Sequence, residues 1–186
     1  MHAQIRIIAI VVLALLAIAG PASGQLPTLG SSLVSKVFTN PQVFAFDNED
    51  IQAEAREEKG LLTIRLTSLA QPPRKGWGGA CIESSTNMNL MAFGGMSFYL
   101  EPTAEVGLDV KFEQTDNRYQ AYVFTASRDR FRPPGRVVVG KFMDMRREER
   151  RVLSRTQRLC FAVTARSWPH AEESVTLKIR EILLTQ

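Results

Sequence analysis

Three stretches decide the fold: Leu61-Leu62-Thr63-Ile64-Arg65-Leu66-Thr67, Met96-Ser97-Phe98-Tyr99-Leu100-Glu101 and Leu108-Asp109-Val110-Lys111-Phe112-Glu113. In each, apolar side chains alternate with polar ones. A period of two puts one set of residues on each face of an extended chain, as a half-buried β-strand requires. Tyr119 to Thr125 reads as a further strand, with Thr115-Asp116-Asn117 marking the turn before it. Val137 to Val139 follows the Pro133-Pro134-Gly135 break. Leu159, Phe161 and Val163 mark one late strand, and Val175, Leu177 and Ile179, followed by Ile182 and Leu184, mark the last. Many short strands separated by turn chemistry predict an all-β fold, an antiparallel β-sandwich of jelly-roll type. The one helical expectation is a short Arg-rich segment around Met143 to Val152. Phe46 to Asp50 reads as an acidic turn, and Asp50 to Lys59 as loop, because it lacks an apolar face.

Outward from these strands, the N-terminus has a different character. Arg6 is followed by the apolar run Ile7 to Ala19, then Gly20-Pro21 and the small residues Ala22-Ser23-Gly24. That order is expected of a secretory signal peptide over 1–24, and the run is shorter than the ~20 residues of a spanning helix. Cleavage near Gly24 implies a secreted or periplasmic protein. Residues 25–40 are expected to be a flexible leader and 41–186 one domain, with no transmembrane helix in the mature chain.

The composition, 45% hydrophobic and 23% charged, is that of a globular chain. Beyond residue 24 there is one histidine, His170, and two cysteines, Cys81 and Cys160. That excludes a His- or Cys-rich metal centre. In an oxidising compartment the two cysteines allow one intramolecular bridge; two buried thiols or an intermolecular bridge are the alternatives.

Charge is uneven. Gln25 to Ser127 has a net charge of −4, whereas Arg128 to Arg158 has a net charge of +7. Ten arginines account for most of the latter, including Arg128, Arg130, Arg132, Arg146, Arg147, Arg150 and Arg151. Guanidinium groups pair bidentately with carboxylate, sulfate and phosphate. The cluster is therefore a candidate site for an anionic polysaccharide, lipopolysaccharide, or an acidic protein or envelope component. Glu148 and Glu149 give the plainer alternative, a solvated helix with weak surface pairs. Nucleic acid is not expected as a partner, since no aromatic residues interleave Arg146 to Arg158 as a single-strand binder needs.

Three segments resemble the galactose-binding-like β-jelly roll, the fold of many carbohydrate-binding modules, and are also similar to complex I intermediate-associated protein domains. They are Gly76-Trp77-Gly78-Gly79-Ala80-Cys81-Ile82, then Phe93-Gly94-Gly95-Met96-Ser97-Phe98-Tyr99-Leu100, and the pair Thr156 to Val163 with Thr176 to Ile182. The resemblance implies a polysaccharide or glycan as ligand. It also implies a structural calcium held by an acidic early turn and a late acidic residue, here Asp47, Glu49 and Glu181. The chain departs from that pattern with Arg180-Glu181 where an acidic pair is usual, so Arg180 can replace the ion by pairing with Asp47. No other cofactor is expected.

A sugar needs flat aromatic surface for its apolar ring face and polar side chains for its hydroxyls. By strand parity, Tyr99 and Tyr122 are candidates for the first, and Asp109, Lys111 and Glu113 for the second. Trp77 and Trp168 are candidate rim clamps. Each has a plainer role as a packing anchor or cross-strand pair. Asp109 and Glu113 beside Lys111 show no reason for the raised carboxyl pKa that glycoside hydrolysis needs, so the expectation is a non-catalytic binding module.

Overall fold

The computed structural model describes residues 38–114, 120–125 and 134–185, the second of these as backbone only. The signal peptide, most of the leader, Arg128, Arg130, Arg132 and the Tyr122 side chain lie outside the described residues. The described residues form ten strands: β1 (Gln42–Glu49), β2 (Ile51–Glu58), β3 (Leu61–Ser68), β4 (Gly76–Met88), β5 (Gly95–Pro102), β6 (Asp109–Glu113), β7 (Gln120–Thr125), β8 (Gly135–Val139), β9 (Thr156–Thr164) and β10 (Ser174–Thr185). All pairings are antiparallel, in the order β7-β6-β9-β4-β1-β2-β3-β10-β5-β8.

That ribbon folds at its middle. β1 and β2 share one register, Asn48↔Ile51, while β1 pairs with β4 and β2 with β3 over eight residues each. The halves β7-β6-β9-β4-β1 and β2-β3-β10-β5-β8 therefore close face to face. Phe98 of β5 meets Phe161 of β9 edge-on at 5.2 Å between ring centroids, and both are fully buried. Leu62, Ile64, Leu66, Val110, Phe112, Leu159, Val163, Leu177 and Ile179 fill the space between the halves. Each such side chain is worth about 1.5–3 kcal/mol relative to exposure. Gly78 permits the close approach near the fold line, because a Cβ there would stand 2.7 Å from Ile51 Cγ2. This is the all-β, jelly-roll type of sandwich that the alternation predicts.

Two local expectations are corrected. Ile51 to Glu58 is a full strand, not a loop. Ile51, Ala53 and Ala55 face inward against β3, but alanine gives little hydropathy contrast, so the period of two is faint. Lys59 and Gly60, at φ 52° and 81°, close the β2–β3 hairpin in two residues. Likewise Phe46 to Glu49 continues β1, and the reversal is confined to Asp50.

The short helix α1 (Arg147–Leu153) lies where the Arg-rich segment was read as helical. Glu149 Oε2 accepts from the Arg146 amide at 2.9 Å, satisfying a donor at its start. Val152 and Leu153 anchor it in the core. Among the described residues no helix is long and apolar enough to cross a membrane.

Candidate functional site

The outer face of the half-sheet β7-β6-β9-β4-β1 is built from cross-strand rows. Lys111, Cys160, Cys81 and Phe44 form one row; Glu113, Arg158, Glu83 and Gln42 form the next. On the other side of the first row come Asp109, Ala162, Gly79 and Phe46, and beyond them Thr164, Trp77 and Asn48. Ala162 and Gly79 are small between larger neighbours. The rows thus enclose a groove of about 490 Å³, lined by Phe44, Phe46, Trp77, Asp109, Lys111, Glu113 and Arg158 among others.

Its aromatic wall has a sequence cause. Gly79 has no side chain, so the Phe46 ring settles over it; a Cβ there would lie 2.9 Å from Phe46 Cζ. Phe46 then packs on Trp77 at 4.9 Å between centroids. Trp77 retains 40% of its surface in solvent. The Lys111 ammonium sits 5.6 Å from the Phe46 ring and 5.4 Å from Trp77, within cation–π range.

The charges in the groove are largely committed. Lys111 Nζ is 2.6 Å from Glu113 Oε1, and both side chains are buried. Arg158 Nε donates to Glu83 Oε2 at 2.9 Å and its guanidinium lies 5.1 Å from the Phe44 ring. Asp109 differs: its carboxylate has no hydrogen-bond partner among the described residues. Burial raises its pKa above the ordinary 3.8, with Lys111 pulling the other way. The groove therefore offers a half-exposed aromatic wall, a floor of small residues and one hydrogen-bonding carboxylate.

Of the residues singled out from sequence, Trp77, Asp109, Lys111 and Glu113 come together here. Tyr122 stands opposite Lys111 in the β6–β7 backbone register. Tyr99 does not join them. The chain crosses from one half-sheet to the other between β5 and β6, so Tyr99 lies on the opposite outer face, under the Arg180 guanidinium at 4.3 Å. Trp168 is not a rim clamp either; it is 1% exposed, and its Nε1 donates to Glu172 O at 2.9 Å. Sequence reasoning missed Phe44, Phe46 and Arg158 as groove residues. Their period of two was visible, but nothing local says which parity faces the core.

Cys81 and Cys160 are directly opposed in β4 and β9 and joined by a disulfide in the groove floor. The bridge is thus the alternative realised among those left open. Asp47, Glu49 and Glu181 do not converge on a common point. Asp47 and Glu49 lie near the fold line, whereas Glu181 is seven residues beyond the near end of β10, roughly 20 Å along the strand. Each has a protein partner: Asp47 Oδ2 accepts from Ala53 N at 2.7 Å, Glu49 pairs with Lys75 at 3.7 Å, and Glu181 pairs with Arg136 and Arg180. Arg180 pairs with Glu181 rather than Asp47.

Arg147 and Arg151 are exposed on α1, Arg150 is half-buried, and Arg146 is held by Glu149 at 3.2 Å. They line the sandwich edge near β7, away from the aromatic wall. Beside them a hollow of about 330 Å³ is lined by Glu148, Arg151 and Arg155.

No protein-family model and no curated protein matches this sequence. Among solved structures, a family 11 carbohydrate-binding module from Clostridium thermocellum, in complex with a β-1,3-1,4-mixed-linked tetrasaccharide, overlays with a TM-score of 0.49 at 10% identity. The overlay covers 77% of this chain and 88% of that one. A variant of a family 29 carbohydrate-binding module overlays with a TM-score of 0.46 at 10% identity, over 78% of this chain and 80% of its own. Both are carbohydrate-binding modules. At this level of likeness neither assigns a ligand to any residue here.

Proposed function

We propose that this chain is an exported, non-catalytic binding module that takes a glycan in the groove of β6, β9, β4 and β1. One observation carries the reading: a half-exposed Trp77 and an Asp109 carboxylate that makes no hydrogen bond among the described residues face the same shallow floor of Gly79 and Ala162. A pyranose ring laid on that floor would place an apolar face against the indole and a hydroxyl toward Asp109. Catalysis is not part of the proposal. Asp109 and Glu113 flank Lys111 on one strand, so both carboxylates face an ammonium that favours their ionised forms. Glu113 is also committed to Lys111. Export accords with the Cys81–Cys160 bridge, since disulfides persist in oxidising compartments.

The test is binding of the purified protein to an array of neutral and acidic glycans at low and high salt. Salt-resistant binding to a neutral glycan, weakened at least about 10-fold by Trp77→Ala with folding retained, is the expected result. Binding that survives Trp77→Ala unchanged would remove the groove from consideration. A second reading, an acidic partner held by the α1 arginines, rests on the exposure of Arg147 and Arg151. It predicts salt-sensitive binding that Arg147→Ala/Arg151→Ala abolishes.

A further inference from the structure

The opposite outer face carries a different chemistry, and it does not depend on the groove. On the half-sheet β2-β3-β10-β5-β8, Thr63 lies in one row with Arg56 on one side and Lys178 on the other. Arg65 stands two residues along β3 on the same face. Three cations therefore surround one short hydroxyl side chain. A hollow of about 510 Å³ opens there; Arg56, Arg65 and Lys178 line it against one carboxylate, Glu54, with Thr63 and Thr176 between them.

The local charge balance favours an anion. Arg56 and Arg65 are exposed, and neither forms an ion pair among the described residues. Lys178 meets Glu101 at 3.4 Å, an exposed pair that is weak in water. Glu54 stands opposite Arg65 in register, and Glu58 lies at the hairpin end of β2. The cations also continue across the face. Arg180 is two residues beyond Lys178, roughly 7 Å along β10, and stacks on Tyr99; Arg136 lies across from Tyr99 on β8. Arg180 and Arg136 share the single carboxylate of Glu181. A lone oxyanion would satisfy only the cup around Thr63. A chain with repeated anionic groups can engage the cup and the row beyond it.

We propose that this face binds an anionic polysaccharide, with a sulfate ester or carboxylate seated on Thr63 between Arg56, Arg65 and Lys178. Guanidinium groups suit both anions because their paired N–H donors match two oxygens at once. The site lies on the opposite side of the sandwich from Trp77, so the two ligands would not compete.

The full chain is measured against immobilised dextran sulfate, polygalacturonate and unmodified dextran, with duplex DNA as a further polyanion. Arg56→Ala/Arg65→Ala is compared with Arg147→Ala/Arg151→Ala, which removes the same charge from α1. The expected result is binding to one or both anionic glycans but not to dextran, weakened at least about 10-fold by the first pair and less than 2-fold by the second. Binding to dextran sulfate alone would identify a sulfate ester, to polygalacturonate alone a carboxylate. Equal losses in both variants would reduce the effect to net charge and overturn the proposal. So would a loss confined to the α1 variant, absence of binding, or DNA binding of equal strength with the same Arg56 and Arg65 dependence. Trp77→Ala should leave this binding unchanged, which keeps it separable from the groove.

Discussion

Replacing both Cys81 and Cys160 by alanine should lower stability by several kcal/mol while leaving the fold intact. The bridge joins residues 79 apart in sequence. In the chain-entropy description, closing a loop of that length removes about 15 cal/mol/K from the unfolded ensemble, or about 4.5 kcal/mol at 25 °C. Native contacts add little to this figure, since alanine keeps the Cβ atoms and vacates only two sulfur positions. The strands are also held in register by their neighbours: β4 pairs with β1 as well as β9, and β9 with β6 as well as β4. The wild type in oxidising buffer and the double variant are compared by equilibrium urea unfolding. The expected loss is about 3–4.5 kcal/mol, with a fall in Tm of roughly 10 °C. Without the cross-link the unfolded chain expands, so the m-value of the double variant should equal or exceed that of the wild type. A loss under about 1 kcal/mol, or two free thiols titrated in the denatured wild type without reductant, would refute the argument.

The buried Lys111–Glu113 pair leads to a second expectation. Glu113→Ala removes the carboxylate that meets the buried Lys111 ammonium at 2.6 Å and should cost about 3 kcal/mol in urea unfolding. Lys111→Met/Glu113→Leu should recover most of that loss; a double variant as unstable as the single would contradict it. Asp109 gives a third, with a defined pH sign. Its raised pKa means that the native state holds this proton more tightly than the unfolded chain, so its ionisation lowers stability as pH rises from 3.8 through the folded value. Asp109→Asn should therefore be more stable than wild type at pH 7, with the difference vanishing below about pH 4. A gap that widens on acidification would reverse the assignment.

The class of fold is legible from periodicity because alternation in β3, β5, β6, β9 and β10 is strong and local. β2 is weak for an equally local reason: its inward residues beyond Ile51 are alanines, so only its pairing with β3 makes it a strand. The site is less legible, because it depends on which strands become neighbours. Asp109, Lys111 and Glu113 share a parity with Tyr99 in the sequence. Yet β6 pairs with β9, some 50 residues later, and β5 pairs with β10 and β8. The chain crosses between half-sheets in the short segment from Pro102 to Asp109, and no residue pattern there announces it. Once β6 lies beside β9, the rest of the groove follows: Ala162 and Gly79 fall between Asp109 and Phe46, and the small residues become a floor. The same crossing leaves Tyr99 with Arg180 and Arg136, so the module acquires two outer faces of different chemistry. One is an aromatic groove where Lys111 pairs with Glu113 and Arg158 with Glu83; the other is a cationic band with hydroxyls beneath it. A single parity rule cannot anticipate that division, because it arises from strand order, which places β6 beside β9 in one half and β5 between β10 and β8 in the other.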